Sequence, residues 1–363
     1  MKIVLPIEEG YFNIIPNKFC DLDCYLITPK IDTKWNKHNL FYRSLITDKE
    51  GNVLSSGFPK FFNYGEKPEC YPNPEDFNDW KLEDKIDGSL LIADYINDQF
   101  SMRTRGTVSY ALQENAKDFE LLPEKYPKVV EFLKENSHLS LLFEIVTPNN
   151  VIVVRPQQIE FYLIGAINKN GMCVVSSSDL TDIWRKIGPI STPQSYNFLD
   201  SKDLSKIAET IKHWKGKEGI VVSYNNGQNR IKLKSDWYVF IHRIKSQLNS
   251  QNNLIEYYVD SEMPFCEDFY KKIETEFDFE IALQLKDEIK TVCDAGEKTK
   301  KYIDNILEMI HDIRKIESRK EQAEMIKRNY HENSSYAFSV LDNKQISKIQ
   351  WIKLITQKLN HES

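Results

Sequence analysis

Lys85 stands two residues ahead of the Asp87–Gly88 pair in "EDKIDGSLLIADY" (residues 83–95), directly before an apolar, strand-like run. Burying either charge is costly without a partner. A lysine so placed suits nucleophilic chemistry. It must be neutral to attack, so its pKa has to be lowered by desolvation or by nearby cations. "IKLKSDWY" supplies cations: Lys232 and Lys234 alternate along a strand and share one face, which grips a phosphate and depresses a third lysine. Glu144 in "LLFEIV" and Glu218 in "KEGIVV" interrupt or border apolar strands, where an unpaired charge costs most. Each therefore calls for a cation, a metal or a polar ligand. Taken singly, each also has an ordinary explanation: a salt bridge, a strand end, or a turn made by Gly88 or Gly219.

The elements that must position these groups are β-rich up to about residue 245. Short runs such as "DCYLIT", "LFYRSLI", "SLLIADYI", "LSLLFEIV", "VIVVRP", "IEFYLIGAI", "EGIVVSY" and "NRIKLK" read as strands separated by turn residues. Two helical interruptions are expected, at about 110–136 and 200–214, the second opening with a start signal over Ser201 to Leu204. Clustered strands with few helices predict an α+β domain on antiparallel sheets. Beyond Pro264 there is no further proline and a single glycine, Gly296, and charged residues interleave with apolar ones at helical spacing. Ile303, Ile306, Leu307, Ile310 and Ile313 form one stripe, and Ile349, Ile352, Leu354 and Ile355 another, both read as the core of a helical bundle. The expected division is 1–248 and 249–363, the latter all-α.

The 363 residues allow one large or two ordinary domains, and 41% hydrophobic content is enough for real cores. With a formal charge of -6, any polyanion must meet a local basic cleft rather than a global positive field. The start lacks an apolar region of signal-peptide length, and no window approaches the roughly 18 apolar residues of a membrane span. A cytoplasmic protein, away from membranes, is expected. Among six cysteines the only close pair is Cys20 and Cys24, with no second pair or histidine at zinc-site spacing, so reduced thiols are expected.

In chain order, Lys-x-Asp-Gly, a Phe-Glu strand, Glu-Gly-Ile-Val and Lys-x-Lys resemble the motif set of the covalent nucleotidyltransferases: RNA and DNA ligases and capping enzymes. "SGFPKFFNYGE" (56–66), "KIDGSL", "FEIVTPNNVIVV" and "IKLKSDWYV" narrow the likeness to the RNA ligase 1 family of the T-even bacteriophages, which seals broken tRNA anticodon loops. The resemblance covers the first 245 residues closely and the helical remainder in length and character only. It implies an antiparallel-sheet adenylyltransferase, an ATP-grasp-like ligase core of the nucleotidyltransferase superfamily, followed by an all-α C-terminal domain.

By the same resemblance Lys85 carries a lysyl-AMP. Arg43, Lys60 and Phe62 engage the ATP phosphates and support the site. Glu144 and Glu218 act on the ribose and, with Asp87, on water ligands of Mg2+, with Mn2+ as the alternative ion. Lys232 and Lys234 hold the α-phosphate and adenylate, Gly88 lets the backbone approach the nucleotide, and Tyr238 belongs to the same pocket. Where the family has Lys-Gly after the nucleophile strand this chain has "TRGT", so Arg105 stands in; Ser44 follows Arg43 where glycine is expected. The implied reaction is three in-line displacements at phosphorus that join RNA 5′-phosphate and 3′-hydroxyl ends, with tRNA as the expected RNA, an end-healing kinase/phosphatase as partner and a monomer as the working form. The segment 242–253 and Arg314, Lys315, Arg319 and Lys320 are RNA-path candidates that a solvated helix face explains equally well. The alternatives are a DNA ligase, a capping guanylyltransferase, and a catalytically inactive RNA-binding protein.

Overall fold

The computed structural model describes residues 10–112, 116–149, 152–154, 156–197, 203–248, 251–276, 279–330 and 334–360. The chain divides into two units, Met1–Val239 and Phe240–Ser363. The first is α+β with three sheets, and every element of the second is a helix among the described residues. No described helix is long and apolar enough to cross a membrane.

One sheet has four antiparallel strands in chain order, from Phe12–Phe19 to Val53–Ser56. The other two build the site. In the second sheet Leu139–Val146 is central, between Glu160–Asn168 and Ser89–Ile96. Successive side chains of a strand point to opposite faces. Leu141, Phe143 and Ile145 therefore enter one core with Leu91, Ala93 and the helices Ala116–Lys125 and Pro127–Glu135, while Leu142 enters another with Ile92 and Phe58. Glu144 has the parity of Leu142, so it lies on the face away from the first core. The run is nearly continuous in hydrophobicity because both its faces are covered.

The third sheet has the order Ser195–Tyr196, Lys81–Asp84, Gly219–Tyr224, Asn229–Lys234, Phe62–Asn63. Its last pair, Phe62–Asn63 with Ile231–Lys232, is parallel; the rest are antiparallel. Leu82, Ile220, Val222, Ile231 and Leu233 pack under the helix Leu204–Lys212 through Leu204, Ile207 and Ile211. Full burial of each such side chain is worth about 1.5–3 kcal/mol. Asp203 caps that helix, accepting from the Ser205 and Lys206 amides; such a cap contributes about 1 kcal/mol. The expected signal at Ser201 lies outside the described residues.

Several expectations are corrected. The single helix expected over 110–136 is two, because Pro127 at the first turn of the second helix lacks the N–H needed to continue the first. Of "VIVVRP", residues 152–154 form a bend rather than a strand, and the Val153 and Val154 amides are taken by a side chain. "LFYRSLI" is a 3-10 turn, Leu40–Arg43, followed by the strand Leu45–Asp48.

In the second unit the helix Lys286–Ile313 buries Ile303, Ile306, Ile310 and Ile313 but leaves Leu307 half exposed. The helix Lys348–Asn360 buries Leu354 and Ile355 while Ile349 is exposed. Arg314 donates to the Val340 carbonyl, Lys315 pairs with Asp312, and Arg319 pairs with Asp342. All three are engaged within the second unit. Of the segment 242–253, the side chains of residues 243–248 and the whole of 249–250 lie outside the described residues.

Candidate active site

Lys85 sits where the chain leaves the third sheet at Asp84 and enters the second at Ser89. Both ends of that crossing are held. The Lys85 amide donates to the Gly219 carbonyl at 3.0 Å and the Asp84 amide to the Gln194 carbonyl at 2.8 Å. The Asp84 carboxylate accepts from the Tyr196 hydroxyl at 2.5 Å and from Lys217 at 3.2 Å. At the other end a Cβ on Gly88 would lie 2.3 Å from the Ile145 carbonyl oxygen. The approach of two strands thus requires glycine here, and Gly88 also lines the cavity.

A cavity of ≈ 490 Å³ opens beside this crossing, lined by Arg43, Lys85, Gly88, Arg105, Glu144, Glu218, Lys232 and Lys234 among others. Sheet register makes its floor: Val221 pairs with both Glu83 and Lys232, so the three stand in a row on the face opposite the helix Leu204–Lys212. Leu90, Glu144 and Ile164 line it from the second sheet. Gly219, at φ +142 and with Leu233 O only 2.0 Å from a built Cβ, lets Glu218 reach inward beside Lys234.

The electrostatics centre on Glu218, whose side chain is 3% exposed. Its Oε2 is 2.9 Å from Lys85 Nζ and its Oε1 is 2.9 Å from Lys234 Nζ. Burial pulls the Lys85 ammonium down, but Glu218, Glu144 and Asp87 outweigh it, and the net shift is upward. The expectation of a depressed Lys85 is therefore corrected for the unliganded protein: carboxylates, not cations, are its nearest charges. Lys232 is depressed instead, brought down to about 7 by burial and by Arg43, Lys60, Lys85 and Lys234, and burial lowers Lys60 as well. Burial likewise raises Glu144 to about 7, opposed by Lys85. Burial and Arg105 lower Arg43 to about 10.

Aromatic faces carry several of the cations as well. Lys232 lies 4.7 Å and Arg43 5.6 Å from the centre of the Phe61 ring, and Lys234 5.0 Å from that of Tyr238. Lys60 stands 5.1 Å over Phe62, which is itself buried and stacked on Tyr71. Phe62 therefore supports Lys60 from below instead of facing the cavity. Tyr238 is also buried below, donating to Asp87 Oδ1 at 2.7 Å.

Asp87, expected to serve a metal, is spent otherwise: its Oδ2 accepts from the Val153 and Val154 amides at 2.8 and 2.7 Å. These bonds and the Tyr238 hydroxyl satisfy both oxygens and pin three segments together. Among the described residues no group of three acidic, histidine or cysteine side chains is placed to hold a metal. Glu144 is different. Its carboxylate lines the cavity with no hydrogen-bond or ion-pair partner among the described residues. One carboxylate beside a phosphate site fits a magnesium ion, which is commonly held by one or two carboxylates together with substrate phosphates and water.

Ser44 accounts for the departure from glycine after Arg43. Its Oγ donates to the Arg105 carbonyl at 2.8 Å and accepts from Arg103 Nη1 at 2.9 Å, so one hydroxyl fixes the backbone next to two cavity arginines. Arg103 belongs to a buried network that sequence reasoning missed: Asp94 accepts from Ser55 (2.5 Å), Ser140 (2.6 Å) and Lys169 (3.2 Å), and Arg103 Nε donates to Ser55 Oγ. Phe58, Phe61 and Arg230 also line the cavity unforeseen. Arg230 had a signal: it precedes Lys232 by two residues and so shares its face.

A family model described as RNA ligase matches residues 42–248. Among solved structures the chain is similar to a Naegleria gruberi RNA ligase mutant with ATP and Mn at 16% identity and TM-score 0.37, covering 45% of this chain and 51% of that one. It is similar to the same organism's RNA ligase with PPi at 15% identity and TM-score 0.38, covering 46% and 52%. A further mutant of it, with AMP and Mn, gives 14% identity and TM-score 0.43, covering 60% and 65%. The chain thus spans about half the length of the first of these proteins.

Proposed function

The chain belongs to the RNA ligase family, and on that premise we propose that it is an ATP-dependent RNA ligase that joins 5′-phosphate and 3′-hydroxyl RNA ends through a lysyl-AMP on Lys85 and an RNA-adenylate. The observation that carries the reading is the cavity wall: Lys85 at 2.9 Å from Glu218, with Lys232, Lys234, Arg43 and Arg105 around the same space. An amine, a phosphate cradle and a carboxylate without a partner are what adenylyl transfer to lysine needs.

In the first step the Lys85 nitrogen bonds the α-phosphorus of ATP and the bond to pyrophosphate breaks. The Lys85 ammonium must first give up a proton, to Glu218 at 2.9 Å or to water, since an ammonium has no lone pair. Lys234 and Lys232 neutralise the charge on the phosphorus oxygens, and positioning and neutralisation supply most of the catalysis in such displacements. Glu144 would hold a magnesium or manganese ion, which would supply Lewis-acid neutralisation of the phosphate charge. AMP then passes to an RNA 5′-phosphate, and a 3′-hydroxyl displaces it. Incubation with magnesium and α-labelled ATP or GTP, with Lys85→Ala as control, tests the proposal. Label on the protein from ATP alone, absent in Lys85→Ala, is expected. Label from GTP indicates a capping enzyme, and none from either overturns the enzyme reading.

The finer reading is repair of tRNA broken in the anticodon loop, after an end-healing kinase/phosphatase, by a monomer in the cytoplasm. The motifs "KFFN" and "KSDWY" support it. It predicts faster sealing of anticodon-loop halves than of an unrelated oligoribonucleotide.

A further inference from the structure

A second cavity of ≈ 360 Å³ adjoins the first through Phe58, Phe61 and Arg230, which line both. Its volume is within the roughly 300–1,000 Å³ of small-molecule sites. Its charged lining is cationic throughout: Lys37, Lys60 and Arg230, with no carboxylate. None of the three has an ion-pair partner among the described residues. Arg230 is the telling one. Its guanidinium lies 4.1 Å from the centre of the Phe58 ring, and its Nη1 is buried with no hydrogen-bond partner. Leaving a buried donor unsatisfied is costly, the more so when it is charged, and an incoming anion would relieve that cost.

The cavity also offers what a base needs. Tyr71 and Phe41 present aromatic surface. Asn229 Oδ1 accepts from Asn225 Nδ2 at 2.8 Å, which leaves the Asn229 amide hydrogens for a ligand. Cations for phosphate, aromatic faces for stacking and an amide for a base edge together make the chemistry of single-stranded RNA recognition. A pyrophosphate product would need only the cations. We propose that this second cavity binds a nucleotide of the RNA strand next to its reacting end, with its phosphate on Arg230 and Lys37. The assignment rests on the ligase reading for what happens in the first cavity, but not for RNA binding in the second.

The test places carboxylates in the cationic wall at positions outside the first cavity, as Lys37→Glu combined with Asn229→Asp; Lys37→Arg is the conservative control. Three quantities are measured on the full chain: label from ATP, the KM for a 5′-phosphorylated single-stranded oligoribonucleotide in AMP transfer, and binding of that oligomer by fluorescence anisotropy at fixed salt. ATP labelling should stay within twofold while KM and the dissociation constant rise roughly tenfold or more, as loss of phosphate contacts does, with Lys37→Arg close to the unmutated protein. Unchanged RNA affinity, or ATP labelling that falls in step with it, overturns the proposal. Should the unmutated protein take no label, the ligase reading fails and the anisotropy comparison still decides the site. Matched melting temperatures guard against misfolding.

Discussion

Lys85 Nζ and Glu218 Oε2 stand 2.9 Å apart, and the same carboxylate holds Lys234 through its other oxygen. Together with Glu144 and Asp87, this contact favours Lys85 as an ammonium. Glu218→Gln removes the largest influence raising the Lys85 pKa, so the rising limb of the pH–rate profile for ATP labelling should move to lower pH. The maximal rate should fall at the same time, because Lys234 loses its anchor. Single-turnover labelling between pH 6 and 10 measures both; an unmoved limb would mean that Glu218 does not govern the protonation of Lys85.

Lys232 and Glu144 each cost stability near neutrality. Glu144, raised from 4.5 to about 7, binds a proton in the folded state that the unfolded chain has released, so its contribution falls as pH rises from 4.5 to 7. Lys232, lowered from 10.5 to about 7, does the reverse: its destabilisation is complete below pH 7 and relieved as pH climbs to 10.5. Lys232→Met should raise the melting temperature by a few degrees at pH 7. That gain should vanish toward pH 10.5. Glu144→Gln should show its gain at pH 7 and lose it toward pH 4.5. Thermal melts of the unliganded proteins across this range are the check.

Ser44→Ala should cost about 1–2 kcal/mol, the loss of a buried hydroxyl that both donates and accepts. Because that hydroxyl fixes the Arg105 carbonyl beside Arg43, KM for ATP should rise severalfold with it. Denaturant unfolding and ATP-labelling kinetics separate the two effects. A variant destabilised with unchanged KM would confine Ser44 to a structural role.

Asp94→Asn should be the most damaging of these changes. Asp94 is fully buried with Lys169 at 3.2 Å and the Arg103 guanidinium linked through Ser55, so the variant strands buried positive charge. Breaking one side of such a pair costs about 3–5 kcal/mol. Urea unfolding measures it, and a loss below 1 kcal/mol would show that water reaches the site.

Gly88→Ala places a methyl 2.3 Å from the Ile145 carbonyl oxygen, between two strands that cannot separate without moving Glu144. ATP labelling should fall by at least tenfold, as displacements of this size do to aligned reactants. Labelling at the normal rate would place the glycine requirement elsewhere.

The sequence by itself determined the chemistry-bearing residues, the α+β text followed by helices, and the face each residue takes along its strand. Parity alone places Lys232 with Lys234 and Glu144 away from Phe143, because side chains of a strand alternate. Lys85, Glu144, Glu218, Lys232, Lys234, Arg43 and Arg105 do meet in one cavity. What only the tertiary structure decided is which charge stands nearest which. Charge balance in a buried site depends on contacts across sheets: Asp87 and Lys85 are two residues apart, yet one is used up on Val153, Val154 and Tyr238 while the other faces Glu218. The direction of the Lys85 shift, the depression of Lys232 in its place, and the bare Arg230 at the wall of a second cavity all follow from distances between segments more than a hundred residues apart in the chain, which no local pattern encodes.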